Sequence, residues 1–295
     1  MADVIWWGRG AGTVDVAGFF AFDVPEISVN WGDGQTDTGI TDENDGLPGD
    51  GSIFASHSWA QDGVYNVTVW DQNEAVIEQL RAYVSAKDPD GTTVSASSRD
   101  DAVVTGDGAD VVSGRDGDDM IVMNGGNDKG GGNVGDDYLG GDAGSDTLKG
   151  GTGYDYLDGG VDRDFLYGDE GDDKLFGSLG ADVLRGGDGS DLFVFAGTGE
   201  SPADAPDKIA DFQDGADRIG LFMEFFDGSA PLSFRGEGHF TGDAGEVRYK
   251  VGHGSTFVLV DTDGDRHADL RIQITGEFQL DGGDFSFDAQ EFFRF

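Results

Sequence analysis

Residues 105–194 read, in blocks of nine, TGDGADVVS, GRDGDDMIV, MNGGNDKGG, GNVGDDYLG, GDAGSDTLK, GGTGYDYLD, GGVDRDFLY, GDEGDDKLF, GSLGADVLR and GGDGSDLFV. The sixth residue is aspartate in all ten blocks, the fourth is glycine in nine, and the eighth is apolar in nine. A fixed period of this kind predicts a repeat architecture in which each block is one structural unit stacked against its neighbours.

Each block divides into a turn and a short strand. If the last three residues form a strand, the apolar eighth residue points inward and its two neighbours point outward. Glycines in the first six residues permit positive φ and a close approach of the backbone, so carbonyl oxygens can face a common centre. A carboxylate beside several carbonyls is the oxygen ligand set that Ca2+ prefers, whereas Zn2+ would need histidine or cysteine, which the blocks lack.

The candidate metal ligands are therefore the sixth-position aspartates and the glycines of the turns. Asp128 is left out of the set, because its block begins with Met123 and has Gly130 at the apolar position. The predicted metal-binding residues are Asp110, Asp119, Asp137, Asp146, Asp155, Asp164, Asp173, Asp182, Asp191, Gly135, Gly144, Gly151, Gly153, Gly160, Gly171 and Gly180.

The blocks resemble the nonapeptide repeat of RTX proteins, G-G-x-G-x-D-x-U-x, an established calcium-binding repeat. The resemblance implies a parallel β-roll in which two blocks form one coil, so that each block stacks on the next but one. It also implies ions between stacked turns, held by the aspartates and the carbonyls of positions one to four, with room for about eight ions. Asp162, which stands where glycine is expected, departs from the pattern.

Without metal, the same stretch is predicted to be a disordered, acidic, glycine-rich linker. Aspartates stacked about 5 Å apart would repel one another by roughly 3 kcal/mol per pair at an effective dielectric constant near 20. One apolar residue per block is too little to offset this repulsion and the lost chain entropy. We therefore expect folding of the roll to be coupled to calcium binding.

Composition limits the classes of partner. The formal net charge is −41, which argues against nucleic acid and anionic membranes because both need a basic face. There is no cysteine, so neither disulfides nor thiolate chemistry is expected. No apolar run is long enough to span a membrane, and the first residues lack the basic and apolar regions of a cleavable signal peptide.

Residues 1–96 are predicted to form a separate β-sandwich. All five tryptophans lie before residue 71, and turn clusters separate short apolar runs. The segments VNWGDG (29–34) and SHSWAQDGVYNVTV (56–69) resemble the signatures of PKD domains, which are immunoglobulin-like spacers or binding modules. Trp6 and Trp7 are candidate ligand-binding residues that could stack on a sugar, with packing in the sandwich as the alternative. His57 is interpreted as part of the structural signature.

Residues 97–195 are assigned to the roll, with 97–102 as a polar linker, and residues 196–295 to a cap. The segments PDKIADFQDGADRIGL (206–221) and FVLVDTDGDRHADL (257–270) resemble the C-terminal domain of serralysin-type secreted proteases. The resemblance implies a β-rich cap on the end of the roll. It also implies an uncleaved C-terminal export signal, within 281–295, that is recognised by the type I secretion apparatus.

A second acidic cluster lies in the cap. Asp261, Asp263 and Asp265 have the spacing of an EF-hand loop, but the glycine and glutamate that such a loop requires are absent. The alternatives are a smaller calcium loop that also uses Asp269, and an Asp-Gly hairpin turn.

No catalytic motif accompanies the serralysin resemblance. Zinc proteolysis needs H-E-x-x-H, and none of the four histidines is followed by glutamate. The G-x-S-x-G motif of lipases is also missing. We therefore predict that the chain is not an enzyme.

The sequence thus predicts an all-β protein with a PKD-like sandwich, a calcium-binding parallel β-roll and a β-rich cap. The first functional hypothesis is a secreted or cell-surface structural or adhesive component, which calcium rigidifies and which self-assembles. The alternative is a non-catalytic module of a secreted enzyme system that binds extracellular polysaccharide or protein.

Overall fold

The computed structural model describes residues 90–222 and 231–287, together with seven strands within residues 1–89. These strands are β1 (Asp3–Trp7), β2 (Thr13–Phe20), β3 (Glu26–Asn30), β4 (Thr36–Asp42), β5 (Gly51–Ser58), β6 (Gly63–Asp71) and β7 (Val76–Val84). They pair antiparallel in the order β1-β2-β5-β4-β3-β6-β7. These strands agree with the predicted all-β fold, whereas the separate β-sandwich of residues 1–96 and its resemblance to PKD domains stay predictions.

Two parallel sheets form the next part of the chain. The first contains β9 (Asp101–Val104), β11 (Met120–Val122), β13 (Tyr138–Gly140), β15 (Tyr156–Asp158), β17 (Lys174–Phe176), β19 (Leu192–Phe195) and β21 (Arg218–Leu221). The second contains β8 (Thr93–Ser95), β10 (Val111–Asp116), β12 (Lys129–Val134), β14 (Thr147–Thr152), β16 (Phe165–Glu170), β18 (Val183–Asp188) and β20 (Asp207–Ile209). Val111 lies opposite Lys129 and Met120 opposite Tyr138, so each strand pairs in parallel with the strand two blocks further along the chain. The predicted parallel β-roll is confirmed.

The eighth-position side chains form the core between the two sheets. They are Val112, Ile121, Leu139, Leu148, Leu157, Leu166, Leu175, Leu184 and Phe193. None of them is more than 3 % exposed. Burial of each such side chain contributes about 1.5–3 kcal/mol, but only one comes from each block, so the core of the roll is thin.

The third block fills its core position with a different residue. Gly130 stands where the other blocks carry an apolar side chain, and a Cβ on Gly130 would lie 2.7 Å from Cε of Met123. Met123 is 0 % exposed and belongs to the same core. The flexible side chain at position one of this block therefore occupies the space left at position eight.

The outer faces of the two sheets differ. On the first sheet, the residues that alternate with the core column are mostly buried, as with Met120 (1 % exposed) and Val194 (1 %). On the second sheet, the corresponding residues include Lys129, Lys149 and Arg185, which are exposed. The second sheet therefore presents its outer face to solvent across the repeats.

The C-terminal strands complete the end of the roll. They are β22 (Ser233–Glu237), β23 (Glu246–Gly252), β24 (Ser255–Asp261), β25 (Leu270–Thr275) and β26 (Phe285–Ser286). β23, β24 and β25 form an antiparallel meander, β25 pairs with β20 of the second sheet, and β26 pairs with β21 of the first. In the described ranges the only helical turn is the 3-10 turn Gly282–Asp284. The described residues contain no helix that is long and apolar enough to cross a membrane.

The roll starts earlier than the ten blocks indicate, and residues 97–102 are not a linker. Asp101 and Ala102 lie in β9, which pairs with β11, and Ser98 forms a parallel bridge with Asp116. Residues 96–104 keep the period, with Asp101 at position six and Val103 at position eight. They lack the glycines of the later blocks, so the pattern is not evident in the sequence.

Candidate metal site in the turns of the roll

The sixth-position aspartates lie where each turn runs into the following strand. All ten, including Asp128, are between 0 and 2 % exposed. Stacking two blocks per coil places alternate aspartates in two columns, one along each edge of the roll. Buried carboxylates at this density need partners or counter-charges, because an unpaired charge is costly away from water.

One carboxylate oxygen of each aspartate is satisfied by the backbone. Oδ1 of Asp137 accepts a hydrogen bond from the backbone N–H of Asp119 at 2.8 Å, and Oδ1 of Asp155 accepts one from Asp137 at 2.9 Å. The same bond recurs along both columns at 2.7–3.0 Å. These bonds fix the orientation of each carboxylate in the turn.

The second carboxylate oxygen has no hydrogen-bond partner. Oδ2 is buried and unpaired in Asp110, Asp119, Asp128, Asp137, Asp146, Asp155, Asp164, Asp173, Asp182 and Asp191. A repeated orphan oxygen with one geometry is unlike the isolated exceptions found in ordinary cores. Each turn therefore leaves one buried acceptor that a proton or a cation could satisfy.

The orphan oxygens face the glycines at position one. A Cβ on Gly168 would lie 2.2 Å from Oδ2 of Asp173 and 2.5 Å from the carbonyl oxygen of Gly186 in the next coil. Gly114 and Gly141 have the same two oxygens close by. The space that a side chain would fill is thus bounded by a carboxylate oxygen and a backbone carbonyl.

The glycines predicted from the sequence as metal-binding residues shape the turns. A Cβ on Gly135 would lie 2.1 Å from the carbonyl oxygen of Gly117, and one on Gly151 would lie 2.1 Å from that of Asn133. The φ angle is positive at Gly135, Gly144, Gly151, Gly153, Gly160 and Gly171. Gly180 does not share the positive φ, although a Cβ there would lie 2.1 Å from the carbonyl oxygen of Asp162. Close stacking of carbonyls along each edge therefore requires glycine.

The two irregular blocks keep this geometry. Asp162 adopts a positive φ of 78°, and φ is also positive at most of the glycines that hold the fourth position in other blocks. Asp128 has the same buried orphan Oδ2 as its neighbours and donates its N–H to Oδ1 of Asp146 at 2.8 Å. Its omission from the predicted set rested on neighbouring residues, whereas its own carboxylate is placed like the others.

Burial makes ionisation of these carboxylates unfavourable. It raises the pKa of Asp119, Asp155 and Asp164 to about 8, and nearby aspartates of the same edge raise it further in each case. The pKa of Asp137, Asp146, Asp173, Asp182 and Asp191 rises to about 7 for the same first reason, and that of Asp128 to about 6. Near neutral pH the buried carboxylates of the turns are therefore stabilised by binding either protons or a cation.

The donors suit a hard cation. Every donor is an oxygen, from a carboxylate or a backbone carbonyl, and the repeats contain no histidine or cysteine. Ca2+ accepts six to eight oxygen ligands in flexible geometries, whereas Zn2+ favours nitrogen and sulfur. The residues present therefore fit Ca2+.

Two further aspartates extend the columns outside the ten blocks. Asp101 N–H donates to Oδ1 of Asp119 at 2.8 Å, and Oδ1 of Asp101 is itself buried and unpaired. Asp207 accepts a bond from Asp182 N–H at 2.8 Å and leaves Oδ2 unpaired. Asp101 carries a sequence signal, an apolar residue two positions later, but Asp207 is separated from the last aspartate by an irregular segment.

The cluster at Asp261 has different chemistry. Carboxylate oxygens of Asp261, Asp263 and Asp265 lie within 4.8 Å of one another. Asp261 accepts bonds from Gly264 N–H at 2.7 Å and Arg266 N–H at 2.9 Å.

The remaining acids of that loop also have partners. Oδ2 of Asp269 accepts from Thr262 N–H at 2.7 Å, Asp263 accepts from Asp265 N–H, and Asp265 accepts from His267 N–H. This pattern is a hydrogen-bonded turn. Trp6 and Trp7 lie in β1, and their side chains fall outside the described residues.

Comparison with known proteins gives one family match. The family model described as Peptidase M10 serralysin C terminal matches residues 96–286. That region is the non-catalytic repeat part of serralysins, and the repeats of the family bind Ca2+. No curated protein matches the chain.

Matching solved structures include the solution structure of the AlgE6R3 subunit from the Azotobacter vinelandii mannuronan C5-epimerase. It is 18 % identical, with a TM-score of 0.28, and the match covers 68 % of this chain and 81 % of that chain.

Proposed function

Because this chain belongs to the family of serralysin C-terminal domains of M10 peptidases, we propose that its roll binds Ca2+ and folds in response to it. The proposal rests mainly on the ten buried, unpaired Oδ2 atoms along the two edges. No backbone or side-chain donor satisfies them, whereas a divalent cation would satisfy them at every turn. Calcium supplies the positive charge that this acidic interior lacks.

The residues proposed to hold the ions are the sixth-position aspartates and the carbonyls of the turns. Oδ1 orients each carboxylate by accepting a backbone N–H, which leaves Oδ2 directed at the cradle beside the position-one glycine. We extend the set to Asp128 and Asp207, which have the same arrangement, and to Asp101, whose Oδ2 accepts from Ser97 and whose Oδ1 is the buried oxygen without a partner. The loop that contains Asp261 is interpreted as a structural turn.

Folding and binding are then one process. The metal-free roll would hold two columns of carboxylates that burial and mutual repulsion destabilise when ionised. A ligand that binds only the folded state stabilises it by mass action. The roll is therefore proposed to be disordered at low calcium and rigid at the higher concentrations typical of extracellular modules.

We propose a structural and non-catalytic role outside the cell. Support comes from the buried carboxylate oxygens without partners, from the family match to a non-catalytic region and from the missing H-E-x-x-H motif. Export through a type I apparatus, using a signal within 281–295, follows from the serralysin resemblance. In this role the calcium-rigidified roll holds the N-terminal strands at a cell surface or in an extracellular assembly.

A calcium titration tests the proposal. The chain is prepared in chelator and followed by far-UV circular dichroism and light scattering as calcium is added. A β signal that appears with Ca2+ at sub-millimolar to millimolar concentration, and not with Mg2+, is expected. A complete β spectrum in chelator that calcium leaves unchanged would overturn the proposal. Scattering that rises with the β signal supports assembly, and scattering that stays low contradicts it.

A further inference from the structure

The outer face of the second sheet carries positive charge on a strongly negative chain. In the parallel register, one row runs from Lys129 through Thr147, Phe165 and Val183 to Lys208. The neighbouring row places Lys149, Tyr167 and Arg185 side by side on three consecutive strands. Lys129, Phe165, Lys208, Lys149, Tyr167 and Arg185 together define what we call the cationic face.

These two rows contain no acidic residue, although the chain has 59 acids against 18 lysines and arginines. Among the described residues, no carboxylate forms an ion pair with Lys129, Lys149 or Lys208. The Arg185 guanidinium helps to lower the pKa of Asp211 against the larger effect of burial, so these two charges interact. The next outward position on β16 after Tyr167 is the exposed Asp169, so acids begin at the row beyond the cationic face. At physiological ionic strength charges more than about 8 Å away are largely screened, so a ligand centred on these two rows meets more cations than acids.

Aromatic rings lie among the cations. Nζ of Lys149 is 5.5 Å from the centroid of Tyr167, and Cζ of Arg163 is 5.1 Å from that of Phe165. Both rings are half-buried, so each keeps part of its surface open to solvent. Cation–π contacts at these distances hold the long basic side chains near the rings. The face therefore offers flat apolar patches with positive charge on either side.

The spacing of the charges is set by the sheet. Lys149 and Arg185 are two strands apart, which is about 10 Å, and Lys129 and Lys208 are four strands apart, or about 19 Å. The partner that suits this layout is extended, carries well-separated negative charges and has flat apolar surfaces between them.

We propose that the cationic face binds a linear polysaccharide with one carboxylate per sugar, laid across the strands of the second sheet. Its carboxylates would pair with the lysines and Arg185, and its sugar rings would lie on Tyr167 and Phe165. Double-stranded nucleic acid carries one charge per about 1.7 Å, a spacing far denser than the roughly 10 Å between the cations of Lys149 and Arg185. A second copy of this chain would bring the same net charge of −41 against it.

This inference rests on the proposed function, because the face exists only when the roll is folded. The experiment is therefore done with the full chain in calcium, after circular dichroism has established the β fold. Binding of short polyuronate fragments is measured by calorimetry at fixed calcium and increasing NaCl. Failure of the chain to fold in calcium would overturn the proposed function, whereas a folded chain that binds no polyuronate overturns this inference alone.

Three variants locate the site. Lys149→Glu with Arg185→Glu is expected to weaken binding by about tenfold or more, or about 1.4 kcal/mol, without changing the β spectrum. Tyr167→Ala, which leaves the net charge unchanged, is expected to weaken it by a smaller factor. Arg99→Glu with Arg218→Glu makes the same change in net charge at exposed positions away from the face and is expected to leave binding near the parent value.

The remaining outcomes each decide the question. Equal losses in both double variants would mean that total charge governs binding, and the inference would fall. Unchanged affinity in the Lys149→Glu/Arg185→Glu variant would point to calcium bridges between the acidic edges and the polymer. Tighter binding of a sulfated polysaccharide or of a DNA duplex than of polyuronate would show a general polyanion site and contradict the assignment.

Discussion

The aspartate columns of the roll and the loop around Asp261 are both clusters of carboxylates, yet they satisfy their oxygens in opposite ways. Along the columns each aspartate uses Oδ1 to accept a backbone N–H and leaves Oδ2 buried without a partner. In the loop, the chain turns back so that its own N–H groups meet both oxygens of Asp261. The first cluster leaves one oxygen of each carboxylate open to a proton or a cation, and the second satisfies both oxygens of Asp261 within its own turn.

The difference shows why the number of acids is a poor guide to a metal site. The loop has the spacing that invites a calcium assignment, but its backbone already supplies the donors. In the columns, the unpaired oxygens result from stacking of the coils. The next coil packs against one side of each carboxylate, and the carboxylate is buried from water. The predictions below test this distinction, beginning with the largest expected effect.

Removal of calcium is expected to unfold the roll and to have much less effect on the meander of β23, β24 and β25. In the meander the strands pair antiparallel over long ladders, and Val258, Val260 and Ile272 are fully buried without any need for an ion. Hydrogen exchange in chelator should therefore show loss of protection at amides such as Asp137 N–H, with slower exchange retained in β24. The same protein in calcium is the control, and simultaneous loss in both regions would show that they are one cooperative unit.

The effect of pH on the roll is expected to reverse sign with calcium. In chelator, the folded roll raises the pKa of Asp119, Asp155 and Asp164 to about 8, above an ordinary value near 3.9. A raised pKa means that folding favours the protonated acid, so stability is greatest below about pH 4 and is lost as pH rises towards 8. In calcium, protons compete with the ion, and the calcium midpoint should rise as pH falls from 8 to 5.

Thermal unfolding across this pH range, with chelator and with calcium, measures both slopes. A metal-free roll that becomes more stable as pH rises from 5 to 8 would contradict the burial of ionisable Oδ2 atoms. Parallel slopes in the two conditions would mean that calcium and protons do not share the same carboxylates.

Gly168→Ala and Gly252→Ala form a matched pair of substitutions. A Cβ on Gly168 would lie 2.2 Å from Oδ2 of Asp173, whereas a Cβ on Gly252 has no atom within 4 Å. Neither residue has positive φ, so the contrast depends on the cradle and not on backbone strain. We expect Gly168→Ala to raise the calcium midpoint and to cost about 1–3 kcal/mol, as overpacking does, and Gly252→Ala to be close to neutral. Equal midpoints for the two variants would remove the position-one glycines from the site.

Much of the roll could be predicted from its period. The spacing of nine with an apolar eighth residue was enough to predict the core column that includes Leu157, and the RTX resemblance implied the parallel register of two blocks. These features depend on alternation along a strand and on stacking of identical units, and both are encoded locally. The carboxylate positions follow in the same way.

Other features depend on contacts between coils that the sequence does not display. Met123 looks like a defect at position one until the structure places its side chain in the gap beside Gly130. Asp101 and Asp207 join the columns although their surroundings lack the repeat glycines. The cationic face is scattered in the sequence, because Lys149, Tyr167 and Arg185 become neighbours only through the two-block register.

The smallest effects are expected from single carboxylates, and here the two clusters should separate most clearly. Asp155→Asn keeps an oxygen for the N–H of Asp137 but replaces the orphan Oδ2 with a donor, so we expect the loss of about one bound ion and a higher calcium midpoint.

Asp263→Asn removes the same charge from an exposed side chain whose carboxylate accepts one N–H within its own turn, and an amide oxygen can replace that acceptor. Its ion count should match the parent, with stability changed by no more than about 0.5 kcal/mol. Calcium stoichiometry by calorimetry distinguishes the two, and loss of an ion from Asp263→Asn would make the loop a metal site and show that internal hydrogen bonds do not exclude calcium.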